Sequence, residues 1–217
     1  MKTNFQEHVS EWYEMTRMGR FAEARQYYFD ELFDEVIANF EDKISSCWPL
    51  ELVLNDPIIA QADNKQVDVL FSILGYTPEP IILAARALHP KKHIIFHDKG
   101  VTNHEDNLRF LPKFLPEGFE KIELPDESFR TIYTVLKEQM ALNAGRNYTV
   151  NVTGGKKSMV AAASIFARDF NSSIIYVDYE KYDSNIRRPL PGYEFLKVVY
   201  SPICDLPEIL QLFKNDG

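Results

Sequence analysis

Tyr148-Thr-Val-Asn-Val-Thr-Gly-Gly-Lys-Lys-Ser-Met-Val-Ala-Ala-Ala163 decides how the rest of the chain is read. Its β-branched residues Thr149, Val150 and Val152 favour a strand, Thr153-Gly154-Gly155 breaks it, and the small residues beyond suit a helix lying close on a sheet. Strand, glycine turn and helix start together make an anion site. The first N–H groups of a helix have no partner within it and carry a partial positive charge. Gly154 and Gly155 let a ligand approach the backbone, and Lys156 and Lys157 add full charges. Phosphate suits this chemistry.

The turn is not a Walker A loop. That pattern needs a glycine where Val150 stands and Ser or Thr where Lys157 stands. No G-x-G-x-x-G occurs and the turn follows a late strand, so the dinucleotide fingerprint is missing too. ATPase chemistry and NAD binding are not supported, and no cofactor is expected.

Outward from this stretch, strand and helix signals alternate from Val67 onward, the signature of an α/β domain with a mostly parallel sheet and helices on both faces. Strands are expected at 67–74, 93–97, 119–124, 148–152 and 173–179. Thr77 reads as an N-cap with Pro78 at the first helical position, a helix near 103–111 should stop before Pro112, and Asp126 should cap a helix with Gly145 just beyond its end. Glu180 to Leu190 reads as a polar excursion with Arg187 and Arg188 at a solvated tip. Tyr193 to Tyr200 follows as an antiparallel last strand, since no helix separates it from the fifth.

A doubly wound sheet of order 3-2-1-4-5 reverses its growth between strands one and four, and ligands bind at the carboxyl ends there. Two turns flank that point. One supplies Ser72, Gly75, Tyr76 and Thr77, the other Thr153, Gly154, Gly155, Lys156 and Lys157, all candidate ligand contacts.

Residues 1–64 read as a helical extension. Trp12, Met15, Met18, Phe21, Arg25, Tyr28, Leu32, Val36 and Phe40 recur at three- and four-residue spacing, giving helices over 4–18 and 20–45, with Trp48 to Lys65 as a connector. The expected division is therefore 1–64, 65–202 and 203–217, the last a linker or tail in which Glu208 to Phe213 begins a helix toward an effector domain.

With 217 residues and 45% hydrophobic content the chain can bury one good-sized core, and a net charge of −8 argues against a duplex nucleic-acid surface. No apolar run of membrane length or signal core appears, so a cytoplasmic protein without membrane contact is expected. Cys47 and Cys204 read as structural thiols. His93 and His97 share a strand face without further ligands at metal spacing, so no metal is expected.

Two stretches carry a resemblance. Ile73-Leu-Gly-Tyr-Thr-Pro-Glu-Pro-Ile-Ile-Leu-Ala-Ala-Arg-Ala-Leu-His-Pro90 resembles the first motif of the CARF domains, the CRISPR-associated Rossmann-fold sensors, and Thr153-Gly-Gly-Lys-Lys-Ser-Met159 resembles their second, often Thr-Gly-Gly-Thr-Lys-x-Met. Tyr176-Val-Asp-Tyr179 and Arg187-Arg-Pro-Leu-Pro-Gly-Tyr-Glu194 are similar to the family's closing hairpin. Lys157 matches the family lysine, whereas Lys156 stands where the family often has Thr. The resemblance covers about residues 66–202. It implies a Rossmann-like fold with a C-terminal β-hairpin, and a homodimer binding cyclic tetra- or hexa-adenylate across its two-fold axis to control an effector domain in type III CRISPR defence.

Two other readings remain at this stage. One is a stand-alone, metal-independent ring nuclease, in which a ribose 2′-OH attacks its neighbouring phosphate; the other is a mononucleotide-binding regulator. The turns hold no general base, so no catalytic residue is assigned and sensing is the expectation.

Overall fold

The aromatic spacing at the start of the chain produces helices. In the computed structural model, which describes residues 2–46, 67–99, 104–115, 118–143, 145, 147–202 and 205, Lys2–Arg17 is α1, Phe21–Tyr27 is α2 and Phe33–Ser46 is α3. Gly19, at φ +76°, turns the chain between α1 and α2. A π turn at Tyr28–Leu32 carries α2 into α3, so the expected second helix contains an extra residue in one turn. Adjacent pairs consequently face inward: Tyr28 with Phe29, Leu32 with Phe33, Val36 with Ile37. Trp12 and Phe40 of the expected stripe are buried, but Met18 and Phe21 are 64% and 56% exposed, because they flank the Gly19 turn.

The remaining elements are β1 (Val69–Ile73), α4 (Glu79–Leu88), β2 (Lys92–Asp98), α5 (His104–Phe114), β3 (Glu120–Leu124), α6 (Phe129–Leu142), β4 (Tyr148–Asn151), α7 (Lys157–Asp169), β5 (Ser173–Tyr179), β6 (Tyr182–Asp183), β7 (Arg188–Pro189) and β8 (Glu194–Tyr200). Six strands form one sheet of order β3-β2-β1-β4-β5-β8. β1 is parallel to both β2 and β4, β2 to β3, and β4 to β5, with Phe71 level with Ile94 and Val150. β8 closes the edge in the antiparallel sense. The fold is Rossmann-like, in the order expected from the alternation of strand and helix signals.

Alternation along each strand feeds two faces. Val69, Phe71 and Ile73 join Ile94, Phe96, Val150, Ile132, Leu136, Met159, Ala162 and Phe166 in one core, so α6 and α7 cover that face. Rings of Phe71 and Phe96 meet edge to face, 5.4 Å between centroids. Ala161 is exposed, leaving Ala162, Ala163 and Ala167 as the small residues that bring α7 close. Leu70, Ser72 and Leu74 point to the other face; α4 is buried along nearly its whole length, as its apolar run requires.

Three helix limits differ from the sequence reading. α4 begins after Pro78, not after Thr77, with Pro80 within its first two positions. Pro112 lies inside α5, near the end of the helix rather than beyond it. α6 is capped by Ser128, whose Oγ accepts from the Thr131 N–H at 3.3 Å, while Asp126 accepts from the Ser128 N–H at 2.7 Å and the Thr131 hydroxyl at 2.9 Å. The acidic signal was read two residues early.

The excursion between β5 and β8 packs with the N-terminal helices: residues 2–46 and 178–195 form one unit, and 67–177 with 196–202 the other. Within the first, β6 and β7 pair antiparallel and Lys43 Nζ donates to the carbonyls of Gly192 and Glu194, at 3.2 and 3.0 Å. Tyr13 donates its hydroxyl to Asp183 at 3.4 Å. Arg187 and Arg188 are exposed, as their placement at a tip implied. The connector Trp48–Lys65, both cysteines and the segment Glu208–Phe213 lie outside the described residues. Among those that are described, no helix is long and apolar enough to cross a membrane.

Candidate functional site

The two turns expected to meet do meet, at the carboxyl ends of β1 and β4. A Cβ added to Gly75 would lie 2.7 Å from Gly155 N and 3.1 Å from Gly154 Cα. One added to Gly154 would lie 2.4 Å from the Ile73 carbonyl oxygen and 2.7 Å from Gly75 N. Backbone packs on backbone here, which only glycine permits. Gly155 has φ +89° besides, a conformation that side chains rarely adopt.

Polar residues fix both turns from beneath. Asn151, at the end of β4 and 1% exposed, accepts from the Thr153 N–H at 3.1 Å and its hydroxyl at 2.6 Å, and donates to the Pro80 carbonyl at 3.2 Å. It thus ties the glycine turn to the start of α4. Thr153 Oγ1 in turn accepts from the Val177 N–H at 2.7 Å, so its hydroxyl shapes the turn. Ser72 is fully buried, its Oγ 2.9 Å from His93 Nε2. Burial pushes the His93 imidazole down to about 3, so the ring is neutral near pH 7. Tyr76 and Thr77 are exposed, Tyr76 by 74%.

Helix starts supply the electrostatics. No side chain caps the N-terminus of α4 or of α7, whose first residue, Lys157, is exposed. Lys156 precedes it in extended conformation and turns its charge to the protein. Its Nζ lies 2.7 Å from Asp98 Oδ2 and pairs with Glu127 as well. Hydrogen bonding to Asp98, then to Glu127, holds its ammonium above the usual lysine range. The two adjacent lysines therefore have separate environments.

Besides Asn151, three residues at the site escaped the sequence reading. Asn107 of α5, fully buried, donates from Nδ2 to the Tyr76 carbonyl at 2.8 Å and holds the first turn. Asp98 and Glu127 engage Lys156 from the end of β2 and the approach to α6. A polar residue on the inner face of a helix could have flagged Asn107; nothing local marks the other two.

No family model matches this chain. Over 151 residues, 66% of its length, it is 27% identical to "CRISPR system endoribonuclease Csm6" of Thermus thermophilus, and the match spans 31% of that protein. The chain thus corresponds to about a third of this relative. Solved structures similar to it include Can2 from Sulfobacillus thermosulfidooxidans in complex with cyclic tetra-adenylate, at 24% identity and TM-score 0.45, covering 51% of this chain and 31% of that one. Another is Enterococcus italicus Csm6 bound to cyclic hexa-2′-fluoro-hexa-dAMP, at 13% identity and TM-score 0.46, covering 66% of this chain and 43% of that one. The fold assignment rests on the strand order itself. The relative is a CRISPR-system protein, as are the CARF proteins that the motifs on the two crevice turns resemble.

Proposed function

We propose that this chain is a sensory domain that binds a cyclic oligoadenylate at the crevice between β1 and β4, across the two-fold axis of a homodimer, and controls an effector domain in type III CRISPR defence. The observation that carries this is the pair of helix starts, α4 and α7, left without side-chain caps beside a crevice walled by glycine backbone. Free N–H groups and dipoles suit phosphate, and the backbone approach leaves room for it. A net-acidic protein can do this, because only the pocket needs to be positive.

In this reading the ligand meets the N–H groups of Gly154 and Gly155, the exposed Tyr76 and Thr77 beyond Gly75, and the ammonium of Lys157. Ser72 and Thr153 act from within, holding strand and turn. A ring of phosphates with internal symmetry suits two identical half-sites, which is the reason for the dimer.

Calorimetric titration with cyclic tetra-adenylate and cyclic hexa-adenylate, beside ATP and NAD, tests the ligand class. Binding of one ring per two chains, with light scattering giving a dimer mass before ligand is added, is the expected result. A monomer mass with and without ring would sink the symmetric pocket, and equal affinity for ATP would favour a mononucleotide regulator.

A further inference from the structure

A negative charge sits at the edge of the phosphate crevice, and its placement is unusual. Asp98 is the last residue of β2 and 3% exposed. Ile73, the last residue of β1, is level with Phe96, so Asp98, two residues further along β2, lies beyond the carboxyl end of β1. One carboxylate oxygen, Oδ2, forms an ion pair with Lys156 Nζ at 2.7 Å, and neither oxygen has a well-aligned hydrogen bond among the described residues. Lys99, next in sequence, is 3.7 Å from Glu123 and engaged there. Glu127, the other carboxylate that pairs with Lys156, is 45% exposed and screened by water.

An ionised carboxylate this deeply buried is costly without a cation, and next to an anion site it would also repel the guest. From this geometry we infer that Lys156 is a positioning residue that serves the ligand through Asp98: it cancels the buried charge, so that the N–H groups and Lys157 face phosphate in a crevice of net positive sign. This rests on the sensor reading and refines it. The second lysine of the turn is an internal counter-ion, and Lys157 is the external one.

The two roles for Lys156 part company when Asp98 is neutralised. In Lys156→Ala the carboxylate is uncompensated, and affinity for cyclic oligoadenylate should fall at least about tenfold, the scale of a like-charge contact in a partly desolvated site. In Lys156→Ala/Asp98→Asn both charges are gone, and affinity should return to within about threefold of wild type, because the net charge of the crevice is restored. Asp98→Asn alone should bind more tightly than wild type. The dependence of affinity on salt provides a readout that a loss of structure would not imitate: the double variant should keep the wild-type slope, whereas removal of a direct phosphate contact lowers it.

A double variant as weak as Lys156→Ala, or a Lys156→Ala variant as tight as wild type, would overturn the inference. Ligand-free melting reads the same pair independently of any adenylate, with Lys156→Ala expected to melt below the double variant. If wild type binds no ring while that order holds, the sensor reading falls and the neutralised pair stands; if Lys156→Ala melts no lower than the double variant, the pair falls.

Discussion

The starts of α6 and α7 are built from the same elements and finished in opposite ways. At α6 the chain satisfies itself: Ser128 accepts from the Thr131 N–H, and hydrogen bonds from Ser128, then Thr131, hold the Asp126 carboxyl below the usual carboxylate range. At α7 the N-cap position is Lys156, whose side chain caps nothing, and the next residue is another cation. A cap removes unpaired donors within the chain; an uncapped start with a cation beside it keeps them for something else. α4 shares the open form, and the glycine turns bring these two starts together; α2, in the N-terminal helical unit, also lacks a side-chain cap. Closed and open helix starts thus separate structural from ligand-facing backbone within one domain.

The largest change to this contrast is expected from Gly154→Ala. Its Cβ would be driven into the Ile73 carbonyl oxygen at 2.4 Å and Gly75 N at 2.7 Å, both backbone atoms that cannot rotate away. Overpacking of this kind costs about 3 kcal/mol. Urea denaturation should show that loss, and ring binding should vanish because the turns move apart. A variant of wild-type stability that still binds would mean the two turns can separate without consequence.

Next in size is Lys157→Ala. The side chain is exposed and should contribute little to stability, while loss of a charge-assisted hydrogen bond should weaken ring binding by about 1.5–3 kcal/mol. Calorimetry on the variant, with its melting temperature as a control, checks both halves. Unchanged affinity would leave the open start of α7 without its ligand.

How far these features could be read in advance follows from where each signal lies. Strand order came from the alternation of short β-branched runs with helical segments, and the crevice from two glycine turns, all local in sequence. The glycine approach confirms that the turns pack on each other, as topology alone required. What was missed depends on partners far along the chain. Nothing near Lys156 announces Asp98, 58 positions earlier, or Glu127, 29 positions earlier. The π turn at Tyr28–Leu32 escaped because the apolar residues Tyr28, Phe29, Leu32 and Phe33 fit an ordinary helical stripe nearly as well. At α6 the signal was present but doubled: Asp126 and Ser128 are both good caps, and which one takes the position depends on where the first turn packs.

The smallest effect, and the sharpest control, is Ser128→Ala. Losing the hydroxyl leaves the Thr131 N–H without its acceptor, while Asp126 still holds the Ser128 backbone and Thr131, so the loss should stay near about 1 kcal/mol, the usual value for one cap. Denaturation with an unchanged slope would give this figure. Ring affinity should not change, because a closed helix start offers the ligand nothing. Glu127 makes the control demanding, since it is the residue next to Ser128 and pairs with Lys156. Were the cap needed to aim Glu127, affinity would fall together with stability, and the start of α6 would belong to the crevice after all. Stability lost with affinity intact keeps the closed and open helix starts distinct.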